Sequence, residues 1–151
     1  RIDIVDDQNR PMFAPGSAVM TDIGKLILNT VGAVVSKTEN KVALAGHTDA
    51  SQYVGKAGYS NWELSSDRAN ASRRLLMQNT LEPERIARVA GMADKELLVK
   101  SEPDSPRNRR ISLTLLRNSH IKSAKPAPSS RGLLSVPDVD PSQIGNPKKP
   151  K

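Results

Sequence analysis

The 151-residue chain has no cysteine, which excludes disulfide scaffolds, thiolate zinc sites and cysteine nucleophiles. Histidine occurs only at His47 and His120, so a histidine-rich metal site is excluded too. Four aromatics are present, Phe13, Tyr53, Tyr59 and Trp62, so Leu, Ile, Val and Ala must fill any core. No apolar run reaches the roughly 18 residues of a membrane-spanning helix. The most apolar window, 25–35, still contains Lys25, Asn29 and Thr30. No secretory leader pattern is found. The chain opens on Arg1 rather than Met and reads as a piece of a longer protein, with any targeting segment upstream.

What is present fits one ordinary domain with an appendage: 36% hydrophobic and 26% charged residues. The net charge of +7 is unevenly spread. Residues 119–151 carry six Lys/Arg against two Asp, and six of the eleven prolines. They read as a basic, extended tail without periodicity. Such a tail attracts polyanions without choosing among nucleic acid, anionic lipid and wall polymers. The domain proper is expected over 1–118.

Within it, apolar residues at Val19, Ile23, Leu26, Ile27, Val31, Val34 and Val35 predict an amphipathic helix over 17–36. Phe13 reads as a core anchor in the turn-rich segment before it. A short apolar stretch, 41–45, predicts a buried strand, and 47–61 a polar loop. Residues 62–79 read as a second helix, capped by Ser60 or Asn61, with Leu64, Arg68, Ala71 and Leu75 on one face. A strand is expected at 85–92, a short helix at 94–100 and a strand on Ile111, Leu113 and Leu115. A further strand is expected near 2–5. The order implies an α/β (α+β) two-layer sandwich with helices on one sheet face.

Asp49 closely follows the buried strand, and Arg68 lies early in the next helix. A β-loop-α unit brings these positions together. Two readings stand for a carboxylate beside a guanidinium. One is a structural salt bridge. The other is a receptor for a zwitterion, with Asp49 binding an ammonium and Arg68 gripping a carboxylate through paired hydrogen bonds. His47-Thr48-Asp49 with Ser51 does not make a catalytic triad, since neighbouring residues rarely adopt nucleophile-base-orienter geometry. No enzyme, metal or cofactor is expected. Pro106-Arg107-Asn108-Arg109-Arg110 is a compact basic run, read by default as a solvated face or a nucleic-acid contact. No aromatic interleaves it, which argues against nucleic acid.

Three stretches, taken jointly, resemble the OmpA-like peptidoglycan-binding family: Gly46-His47-Thr48-Asp49, the run Asn61-Trp62-Glu63-Leu64-Ser65 continuing through Arg68-Ala69 to Arg74, and Asn108-Arg109-Arg110-Ile111. Met12-Phe13-Ala14-Pro15-Gly16 is similar to the family's opening segment, and the match runs over about 2–116 with its order preserved. Trp62-Glu63 and the long preceding loop are closest to the flagellar motor stator (MotB-like) branch. The resemblance implies a β-α-β-α-β-type sheet with helices on one face. It implies that Asp49 and Arg68 hold the diaminopimelate of the stem peptide, that Thr48 and Asn61 shape the rim, and that Arg110 lies near the pocket or buttresses it. Arg109 and Arg110 have an equal reading as residues that orient the last strand. Trp62 reads as a core or interface anchor. The resemblance further implies a non-covalent wall anchor in the periplasm, a homodimer, and a MotA-like stator subunit reached through an N-terminal transmembrane segment missing here. Another envelope anchor of the same family is the near alternative. A basic nucleic-acid-binding protein is the alternative of a different class.

Overall fold

The computed structural model describes residues 1–7, 9–53 and 58–117. The expected tail over 119–151 lies outside them. Six principal elements follow in the order β1 (Ile2–Val5), α1 (Asp22–Val35), β2 (Val42–His47), α2 (Asn61–Asn79), β3 (Ile86–Gly91) and β4 (Arg110–Leu115). Single 3₁₀ turns at Pro83–Arg85 and Pro106–Asn108 precede β3 and β4. The strands form one mixed sheet in the order β1-β4-β2-β3. β4 is antiparallel to both neighbours, while β2 and β3 are parallel and joined through α2. This is the expected α+β sandwich.

Each helix starts on a side-chain cap. Thr21 Oγ1 accepts from the Gly24 amide at 3.0 Å and donates to the Pro11 carbonyl at 2.7 Å, fixing α1 to the preceding segment. Ser60 and Glu63 form a reciprocal capping box on α2, with the Ser60 amide donating to Glu63 Oε2 at 2.8 Å. The core lies between helices and sheet, where Leu28, Val35, Leu44, Leu76, Ile111 and Leu113 are buried. Phe13 joins them, as its position suggested.

Three expectations need correction. Residues 94–100 form turns rather than a helix. The buried Asn108 side chain organises this segment, accepting from the Val99 amide at 2.7 Å and donating to the Glu102 and Pro103 carbonyls. Trp62 is 48% exposed, which removes the core half of its reading and leaves the interface half. The inner face of α1 is Gly24, Leu28, Gly32 and Val35, with Ile27 and Val31 packed against the core as expected, whereas Ile23, Leu26 and Val34 point outward. Glycine lets that face sit close. A β-carbon at Gly24 would lie 2.3 Å from the Met12 carbonyl oxygen.

The opposite sheet face holds a buried polar cluster. Arg110 and Ser112 alternate with core-facing Ile111 and Leu113 and lie across from His47 and Ala45. Ser112 Oγ hydrogen-bonds Asp3 and lies 3.3 Å from His47 Nε2. Arg110 donates to the Asn108 and Glu96 carbonyls, and its Nε is 3.7 Å from Asp3 Oδ1. Burial, aided by Arg110 and Arg1 and opposed by Asp3, lowers the His47 pKa from 6.5 to about 4.

Two predictions follow from this packing. His47 is neutral in the fold and free to charge when unfolded, so the unfolded state binds the extra proton between about pH 6.5 and 4. Stability should therefore fall as pH drops through that window, and His47→Asn should flatten the slope of denaturant midpoint against pH. Gly46→Ala would place a β-carbon 2.1 Å from the Ser65 carbonyl oxygen of α2. It should cost about 3 kcal/mol, read as a lower denaturant midpoint at unchanged slope.

Candidate functional site

The site opens at the carboxyl end of β2, an interior strand. His47 ends that strand and turns to the polar face, while Thr48 and Asp49 continue toward the helices. Arg68 approaches from the second turn of α2, and Asn61 from its first residue. Arg109, one residue before β4, closes the third side. Together with Asp6 and Phe13 these residues line a cleft of about 370 Å³.

Asp49 and Arg68 share the cleft, yet they are not an ion pair. Asp49 Oδ2 accepts from Arg109 Nη1 at 2.9 Å, and its Oδ1 accepts from the Ser51 amide at 3.2 Å. Arg109 also donates through Nε to Asp6 Oδ2 at 2.9 Å. One guanidinium thus spans two carboxylates. Burial works against the Arg109 charge, and the hydrogen bonds to Asp6 and Asp49 overcome it, so its pKa is raised.

Arg68 is held differently. Its Nε donates to the Ser17 carbonyl at 2.9 Å, and its guanidinium carbon lies 5.1 Å from the centre of the Phe13 ring. Only 6% of the residue is exposed, and no carboxylate among the described residues is in salt-bridge contact with it. Burial lowers its pKa, opposed by the nearby charges of Asp6 and Asp49. A largely buried guanidinium with no carboxylate of its own has N–H donors with which it could pair an anion.

The remaining expected residues fall as follows. Thr48 lies in the cleft wall, and its buried hydroxyl has no hydrogen-bond partner among the described residues. Its amide donates to the Ala93 carbonyl at 2.9 Å. Asn61 lines the cleft and donates to the Ser51 carbonyl at 3.0 Å, tying the loop to the helix. Arg110 does not line the cleft; it is buried in the polar cluster behind it. The basic run is therefore no continuous charged face. Arg107 is exposed, Arg109 enters the cleft and Arg110 is buried.

Sequence reasoning missed Asp6 and undervalued Arg109. A signal for Arg109 existed: side chains alternate along a strand, so Arg109 shares the side of core-facing Ile111, and Arg110 takes the other. Asp6 carried no such signal, since the antiparallel pairing of β1 with β4, continued by its amide bond to the Arg109 carbonyl at 2.8 Å, brings it there. The charges of Asp6, Asp49, Arg68 and Arg109 sum to zero. Such a cleft suits a ligand that is neutral overall but carries both signs. No cluster of three His, Cys, Asp or Glu able to hold a metal is found among the described residues.

Residues 12–110 match the model of the OmpA family. The chain belongs to the OmpA family. It is 50% identical over 117 residues to Motility protein B of Escherichia coli strain K12, covering 77% of this chain but 38% of that protein. The OmpA-family chain thus spans about two fifths of that relative's length. The cell wall anchor of the T6SS from Pseudomonas aeruginosa superposes with a TM-score of 0.63 at 27% identity, over 75% of this chain and 78% of that one. The periplasmic domain of Helicobacter pylori MotB shares the fold, with a TM-score of 0.62 at 17% identity over 74% of this chain and 78% of its own.

The bridge predicts the effect of removing it. Arg109→Ala leaves two partly buried carboxylates facing each other and should cost about 2 kcal/mol in chemical denaturation. Arg109→Lys should recover only part of that, because a point charge cannot span both carboxylates with fixed geometry.

Proposed function

We propose that this domain anchors its protein to the cell wall by binding peptidoglycan non-covalently. The ligand group is the zwitterionic side-chain end of diaminopimelate in the stem peptide. The observation that carries this reading is the buried Arg68 guanidinium, without a carboxylate partner, in one cleft with an Asp49 carboxylate already oriented by Arg109. The ligand carboxylate pairs with Arg68. The ligand ammonium sits on the Asp49 side, where Asp6 adds negative charge. Thr48 and Asn61 offer hydrogen bonds at the wall of the cleft. Arg110 supports the site from behind by holding the turn before β4.

The likeness to Motility protein B and to a T6SS cell wall anchor agrees with this reading. By the same likeness, the full-length protein is a flagellar stator component. In that reading the domain lies in the periplasm, and an N-terminal membrane segment joins it to a MotA-like partner. Two copies act together. A single charged cleft binds one stem peptide weakly, and a pair gains from effective concentration on a polymer that repeats the ligand. No step makes or breaks a covalent bond.

Co-sedimentation with purified diaminopimelate-type sacculi tests the reading. Native protein should pellet, while Asp49→Ala and Arg68→Ala should each lose at least tenfold in binding with unchanged circular dichroism. Amidating the diaminopimelate carboxylate should weaken native binding similarly, since a neutral amide forms no paired charge-assisted bonds with Arg68. If all forms pellet alike and release together in salt, surface charge is responsible and the cleft assignment fails.

A further inference from the structure

The outer face of α1 is unusually apolar. Of the six large hydrophobic side chains exposed among the described residues, Val19, Ile23, Leu26 and Val34 lie on α1 or just before it. Leu26 is 66% and Val34 60% exposed. Ile23, Leu26, Thr30 and Val34 recur at steps of three and four, so they form one stripe along the helix. A solvated helix carries polar residues on that side.

The stripe is self-complementary. Leu26 and Val34 are equidistant from Thr30, and so are Ile23 and Lys37. Asp22, exposed and 3.1 Å from Lys25 Nζ, lies at one end, and exposed Lys37, just past the end of the helix, at the other. We propose that the outer face of α1 is where two copies of this chain pair, antiparallel about a two-fold axis at Thr30. Leu26 then packs on the partner's Val34, twice by symmetry, and Asp22 comes beside the partner's Lys37 at both ends. A parallel pairing would set Asp22 against Asp22 and Lys37 against Lys37, which is unfavourable. The 14-residue helix is about 21 Å long and offers less than the roughly 800 Å² per partner of a standard stable interface. Pairing of the untethered chain is therefore weak and reversible. It strengthens when both copies share one assembly. This assignment gives a location to the two-copy arrangement proposed above and is independent of what the cleft binds.

The native chain has no cysteine, so a single introduced thiol reports without background. Oxidative cross-linking of the full 151-residue chain carrying Thr30→Cys should run at least tenfold faster than with Arg88→Cys, an exposed site on β3. Adding Leu26→Asp should bring the Thr30→Cys rate down to that control. Asp22→Lys should slow it as well, and Asp22→Lys with Lys37→Asp should restore it. Equal rates for Thr30→Cys and Arg88→Cys would overturn the assignment. If sedimentation shows the native chain associating and Leu26→Asp associating equally, the copies pair through another face, and this assignment falls while the two-copy arrangement stands. Binding to sacculi, measured on the same variants, reports the cleft separately.

Discussion

The close seating of α2 on the sheet is the constraint on which the rest depends. Gly46 on β2 and Gly91 on β3 present bare backbone to the helix. A β-carbon at either position would lie 2.1 Å from a serine oxygen of α2. Ser65 and Ala69 are fully buried at that contact. Because the helix lies this low, Arg68 enters the cleft beside the end of β2 instead of reaching solvent over the rim. Its long side chain is then shaped by what surrounds it: the Phe13 ring below and the Ser17 carbonyl at Nε.

Two arginines in one cleft do opposite work. Arg109 is bridged to both Asp6 and Asp49, which holds the two carboxylates in place. Arg68 is positioned by uncharged groups, so its charge stays available. Desolvation makes an unpaired buried charge costly, and a site that bears that cost gains when an anion arrives. The same logic accounts for the balance of signs. In the proposed reading, tethering of both carboxylates by Arg109 lets the cleft accept an ammonium without collapsing onto it.

The polar cluster behind β4 supports this arrangement from the far side. Arg110, the neighbour of Arg109, is buried against the Asn108 and Glu96 carbonyls. Asn108 in turn fixes the turns that replace the expected helix. The three residues Asn108, Arg109 and Arg110 therefore work on three different surfaces. One orders a loop, one orients the cleft carboxylates, and one holds the strand. Their adjacency in sequence concealed this division, since a run of basic residues reads as one patch.

The two long helices, the strands and their order were legible because hydrophobic period, capping residues and turn residues are local properties. β4 was clear from Ile111, Leu113 and Leu115, and α2 from its cap and the spacing of Leu64, Arg68, Ala71 and Leu75. Asp49 and Arg68 were legible as a pair because a β-loop-α unit brings such positions together wherever it occurs. Other features depend on which atoms approach from distant parts of the chain, and only the tertiary structure decided them. It gave Asp49 to Arg109 rather than to Arg68, because the segment before β4 returns alongside the end of β2. It brought in Asp6 through pairing of the two chain-distant strands. It seated α1 closely at its glycines, with Ile27, Leu28, Val31 and Val35 turned to the core and Leu26 and Val34 facing outward. Periodicity reports how many apolar residues share a face; packing decides which face goes inside.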